Sequence, residues 1–165
     1  MTIRSNGVWG TTPEDDEKCR QYAAMLTPIR EVEYQKRGGN AKFQWEQHYN
    51  SKRAEYAVWH MLGDNPEDEP DIMYHDERSF GADVKTYSVK FCSLNTSINY
   101  AESWIYQYEP QDPILYETYL TTQISEHPFA VRIYGPVQPE DIKANLKLPI
   151  NRNPTKRALY AEDIL

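Results

Sequence analysis

The sequence predicts an α+β or α/β domain with a small central mixed β-sheet flanked by helices. Three observations carry that prediction. Two long segments carry helix start signals, and one of them has an apolar stripe at helical spacing. Short segments rich in Val, Ile, Tyr and Phe lie between clusters of Gly, Pro and Asp. The two kinds then follow one another as helix, helix, strands, helix, strand, helix. With 165 residues and no internal repeat or Gly/Ser linker, the chain reads as a single domain, 1–165, able to bury a core.

Thr11 or Thr12 is the candidate N-cap of the first helix, followed by Pro13 and four acids. This helix runs to about Leu26, and Pro28 is expected to end it. Gly38 and Gly39 break the chain, after which Asn40 or Ser51 caps a second helix, "SKRAEYAVWHMLG", that stops at Gly63. Ala54, Ala57, Val58, Met61 and Leu62 form its buried stripe. Glu55 shares a line with Trp59 and Leu62, at the edge of that face, an unusual place for a carboxylate. "DIMYH" and "ADVKTYSVKF" read as a strand pair about the turn "DERSFG", and "SWIYQY" and "FAVRIYG" as further strands. "DPILYETYLTTQI" is assigned to a helix, and "QPEDIKANLKL" to a short helix entered through Pro139.

A net charge of −7 argues against a protein that coats nucleic acid by bulk attraction. The charge is unevenly spread, however. Acids gather in Pro13 to Glu17 and in Asp64 to Asp71, whereas Lys143 to Arg157 holds Lys143, Lys147, Arg152, Lys156 and Arg157 with no acid. No apolar run is long enough to cross a bilayer and the N-terminus lacks a signal-peptide core, which predicts a cytoplasmic protein. Cys19 and Cys92 stand apart from any Cys/His set and are expected to be buried or incidental thiols.

Three D/E-x-K triplets occur, at 16–18, 83–85 and 141–143, and only Asp83-Val84-Lys85 falls in a predicted strand. Residues two apart on a strand share a face, so Asp83 and Lys85 are expected to project together towards Asp71 on the neighbouring strand and Glu55 on the helix. Carboxylates with a lysine are what a hard divalent cation and a phosphodiester require. The plainer readings are a surface salt bridge for Asp83 and Lys85, an exposed helix pair with Lys52 for Glu55, and a turn residue for Asp71.

"PD" (Pro70-Asp71) followed by "DVK" resembles the PD-(D/E)XK nuclease superfamily, and "RAEYAVWHMLG" resembles its first core helix. The resemblance covers roughly Ser51 to Phe91 and implies a restriction-endonuclease-like core. It implies Asp71 and Asp83 as ligands of Mg²⁺ or Mn²⁺, Glu55 as an accessory ligand and Lys85 as the catalytic lysine of an endonuclease acting on DNA. Short phage-encoded and homing-type endonucleases of the superfamily are of similar size, which implies a bacterial host cell as the setting. Cleavage of both strands would usually call for a homodimer. A second alignment takes Asp83 as the first acid and Ser88-Val89-Lys90 in place of D/E-x-K, making Lys90 the lysine that counts. Arg152, Lys156 and Arg157 are the candidate phosphate contacts. The competing function is a non-catalytic interaction protein built on a nuclease-like or other α+β fold.

Overall fold

In the computed structural model, which describes residues 3–36, 41–73, 81–107, 113–149 and 154–165, Thr12 and Asp15 open the first helix by capping each other. The Thr12 hydroxyl accepts the Asp15 amide at 3.1 Å, and the Asp15 carboxylate accepts the Thr12 amide at 2.9 Å. The helix α1 (Pro13–Lys36) continues through Pro28 instead of ending there. The Thr27 hydroxyl donates to the Ala23 carbonyl at 2.7 Å in the turn that the proline interrupts. Packing along α2 (Ala41–Met61) carries α1 onward, so tertiary contact overrides the local breaker. The end of α2 follows the sequence signal: Gly63 takes a φ of 109°, open to glycine at little cost.

The two helices are clasped at one end by charge. Arg53 donates to Asp16 at 2.9 Å, and the His60 ring bonds Asp15 through Nε2 at 2.5 Å and Asp64 through Nδ1. Burial by itself lowers the His60 pKa, but the hydrogen bonds to Asp15 and Asp64 outweigh it and hold the ring above its usual 6.5.

The fold is mixed α+β. Four strands, β1 (Ser5–Gly10), β2 (Ser88–Cys92), β4 (Thr118–Glu126) and β5 (Phe129–Val137), form a sheet in the order β1-β5-β4-β2, in which only the β2–β4 pair is parallel. A second, antiparallel sheet pairs β3 (Ser103–Gln107) with β6 (Lys156–Tyr160). Ala54, Ala57 and Val58 of α2 pack on one face of the larger sheet with Tyr119, Phe129, Val131 and Ile133. On the other face Trp104 and Leu159 of the small sheet meet Leu120 and Tyr134. Ile142 of α4 (Pro139–Asn145) and Ile164 of α5 (Ala161–Ile164) close that layer. Along β5 the register gains a residue between Tyr134 and Val137, so Val137 joins Tyr134 on the same side. Gly135 makes this bulge possible: its φ is 114°, and a Cβ there would lie 2.9 Å from the Thr118 carbonyl oxygen.

Of the segment assigned to a helix, "DPILYETYLTTQI", residues 118–124 instead belong to the strand β4. It is an inner strand with six successive buried residues, Thr118 to Gln123, so it shows no alternation of apolar and polar positions. Its Thr- and Tyr-rich composition is the strand signal that remains. The expected strand "DIMYH" is not one at residues 71–73, and the rest of it lies outside the described residues. The strands β1 and β6 and the short helix α3 (Leu94–Asn99) have no counterpart in the sequence reading. Among the described residues no helix is long and apolar enough to cross a membrane.

The His60 clasp makes a pH-dependent contribution with a defined sign. Because the folded-state pKa is raised, that contribution is fully present below the unfolded value of about 6.5 and is lost as pH rises through the folded one. The stability difference between wild type and His60→Gln, read by urea unfolding, should therefore shrink as pH rises above about 6.5. A constant difference across that range would mean the ring is not charged in the clasp.

Candidate functional site

Lys52 and Glu55 lie one turn apart on α2 and point into the space that α1 and the segment after α2 enclose. Their side chains are only 8% and 12% exposed, and the Lys52 ammonium donates to Glu55 Oε1 at 3.1 Å. The same ammonium donates to the Asp71 backbone carbonyl at 2.8 Å and sits 4.3 Å from the centre of the Tyr22 ring of α1. Burial pushes the Glu55 carboxyl up to about 8 against the pull of Lys52, and the charges of Asp83 and Asp71 push it further the same way. Burial weakens the Lys52 ammonium, but Glu55, Tyr22 and Asp83 outweigh it and hold its pKa above the usual value. Cys19 shares this surrounding; burial and Glu55 raise its pKa, so the thiol stays protonated and unreactive.

The structure sets the Glu55 carboxyl in the field of both Asp71 and Asp83, each of which raises its pKa. It does so with a local geometry different from the expected one. Asp83-Val84-Lys85 is not in a strand. The Tyr87 amide donates to the Val84 carbonyl at 2.9 Å, closing a tight turn, and Lys85 stands exposed within it at a φ of 55°. Asp83 Oδ2 accepts the Val89 amide at 2.8 Å and so ties the turn to the start of β2. Asp71 is exposed, and its Oδ1 accepts the Met73 amide at 2.9 Å. The strand in this stretch is Ser88–Cys92, which carries Lys90.

Glu55 and Lys90 line the same cleft, of about 730 Å³, whose walls also include Glu46, Gln123, Ile98 and Ile105. Lys90 lies 4.1 Å from the centre of the Tyr106 ring, and its ammonium donates to the Ile105 carbonyl at 3.4 Å. Of the candidate phosphate contacts, Lys156 and Arg157 belong to β6 and are half-buried. Arg157 donates to the carbonyls of Pro154 and Lys156. Arg152 lies outside the described residues. Cys19 and Cys92 are both buried and free.

Lys52 is the residue that the sequence reading leaves out of the site. Its spacing to Glu55 is visible in the sequence, but an i, i+3 acid–lysine pair ordinarily marks an exposed helix face. Only the packing of Tyr22 and the return of the chain at Asp71 bury this one.

Among the described residues, no three His, Cys, Asp or Glu side chains are gathered into a ready-made cation cage. The chain matches no protein-family model, no characterised protein and no solved structure.

The buried carboxyl sets a second pH dependence. With the Glu55 pKa raised from 4.5 to about 8, its contribution to stability is fully present below 4.5 and is lost as pH rises through about 8. In chelator-treated protein, wild type should lose stability relative to Glu55→Gln across that window. Parallel curves in thermal or urea unfolding would show that Lys52 keeps Glu55 ionised throughout.

Proposed function

We propose that the chain is a metal-dependent endonuclease acting on DNA, of the PD-(D/E)XK type, with Glu55, Asp71 and Asp83 as the ligands of Mg²⁺ or Mn²⁺. One observation carries the reading: a carboxyl buried on α2 beside Lys52, under the field of two exposed carboxylates, at a cleft large enough to admit part of a nucleotide chain. A buried carboxyl in the field of other carboxylates is disfavoured as an anion, and a divalent cation would relieve that cost. When bound, the cation polarises a phosphoryl oxygen and lowers the pKa of a coordinated water.

The chain's own groups would do the rest. Asp83 is held by the Val89 amide and Asp71 by the Met73 amide, so each carboxylate keeps one oxygen engaged with the backbone. Lys90 extends along the wall of the cleft that Glu55 also lines, where an ammonium can stabilise charge developing on a phosphate. Lys85, exposed in the turn, is less favourably placed for that role than Lys90. The net charge of −7 makes the cation more necessary, since phosphate would otherwise approach an acidic surface.

The interaction-protein reading draws on a different feature. Ile98 in the cleft wall is 69% exposed and nearby Tyr100 is 77% exposed, and apolar groups in the open are commonly covered by a partner.

A panel of single-stranded, duplex and branched DNA, incubated with Mg²⁺ or Mn²⁺, should be cleaved by wild type and left intact in EDTA. Asp83→Asn and Glu55→Gln should each lower single-turnover rates by about 100-fold or more. Lys90→Ala should fall by a similar factor, and Lys85→Ala should stay within a few-fold of wild type. The reverse order would return the role to Lys85. Wild-type rates in all four variants would remove these residues from the site, and no cleavage by wild type with either metal would leave the interaction reading in possession.

A further inference from the structure

The strand β2 carries hydrogen-bonding groups along both of its edges, and β4 meets one of them. The Ser88 amide donates to the Glu117 carbonyl at 2.9 Å, and the Lys90 carbonyl accepts the Thr121 hydroxyl at 2.7 Å, so these two residues face β4. In a parallel ladder the residues between and after them face the other way. Val89 does so: its amide donates to Asp83 Oδ2 at 2.8 Å, a carboxylate standing where a further strand would bring a carbonyl. Two residues on, the N–H and C=O of Phe91 point to that same side, and Val89, Lys90 and Phe91 all line the cleft. Among the described residues no strand pairs there. The cleft is therefore a groove along a strand edge, walled by α2 on one side and by Ile98 and Ile105 on the other.

The two walls differ in chemistry. Val89 and Phe91 pack towards α2, which brings Glu46 and Asn50 to the groove, whereas Lys90 reaches the Tyr106 ring on the β3 side. Ile98 and Ile105 on that second side are exposed, and Glu126 of β4 adds another exposed acid to the lining. We propose that the groove takes an extended segment of a partner protein, alternately basic and apolar, added as a strand to the edge of β2. The Phe91 N–H and C=O would bond its backbone. Successive side chains of a strand point to opposite faces, so one set meets the acids of the α2 side and the next meets Ile98 and Ile105. A net charge of −7 favours the approach of a basic segment. The proposal rests on the interaction-protein reading, gives it a partner class, and requires neither metal nor cleavage.

The test uses the full chain without metal and a short peptide of alternating valine and lysine, blocked at both ends. Fluorescence anisotropy of the labelled peptide gives affinity, and hydrogen exchange followed by NMR gives protection at the Phe91 amide. The Lys90 amide, turned to β4, is the internal reference. Wild type should bind the peptide, and Phe91 exchange should slow by about tenfold or more while Lys90 stays unchanged. N-methylation of alternate residues removes backbone donors and keeps the charge, so one of its two frames should weaken binding by about tenfold. Attraction by bulk charge alone would be indifferent to it. Glu46→Gln combined with Glu126→Gln, both exposed, should weaken binding a few-fold and flatten its salt dependence. Equal affinity for the parent and both methylated frames, equal affinity for a valine–glutamate peptide, or an unchanged Phe91 amide overturns the proposal. A single-stranded oligonucleotide that protects Phe91 where the peptide does not would assign the groove to nucleic acid and overturn it equally. DNA cleavage with Mg²⁺ is a separate readout, so this proposal and the endonuclease reading fail on different measurements.

Discussion

An ammonium and a carboxyl removed from water each cost several kcal/mol unless they are paired and hydrogen-bonded. In this chain Lys52 and Glu55 meet that condition together, and much of the surrounding structure answers to it. Tyr22 must reach across from α1, which requires the two long helices to lie alongside each other. The chain must return after Gly63 so that the Asp71 carbonyl meets the ammonium. The clasp of Arg53 and His60 with Asp16, Asp15 and Asp64 holds the same helices at their charged end. The buried Lys52–Glu55 pair thus links three segments: α1 through Tyr22, α2 itself, and the chain after Gly63 through the Asp71 carbonyl.

The sheet supplies the other wall. Among the described residues β2 pairs on one side only, with β4, and a cleft lies between α2, β2, α3 and Ile105 of β3. The parallel β2–β4 pair needs a long connection, and the chain uses it to build α3 and β3 on the way. Trp104 anchors that excursion, fully buried and donating from its indole nitrogen to the Thr121 carbonyl at 3.0 Å. Lys90 is thereby brought to the cleft by the strand, while Glu55 is brought to it by the helix.

Charge distribution connects the fold to what the cleft can accept. The acids of the 64–71 segment lie close to the end of α2, and Glu69 is itself engaged by Lys18 at 2.9 Å. In the basic C-terminal stretch, Lys147 is paired with Asp163 at 2.7 Å, and Arg157 is spent on backbone carbonyls. A polyanion would therefore depend on local arrangement around the cleft far more than on the overall field.

The sequence by itself determines those features that depend on neighbours along the chain. The start of α1 at Thr12, the stop of α2 at Gly63, the strands at 103–107 and 129–137, and the entry of α4 through Pro139 follow from capping, glycine and proline geometry and β-branched composition. The position of Glu55 at the edge of an apolar stripe is legible for the same reason. Tertiary structure alone decided that α1 passes Pro28, that residues 118–126 are a strand, and that Asp83 to Tyr87 turn back instead of extending. It alone decided that Lys52, and not Lys85, meets the buried carboxyl. Local pattern records how a residue sits relative to the next turn or pleat. Burial of a charge, and the backbone bend that serves it, depend on which distant segments supply the missing hydrogen bonds.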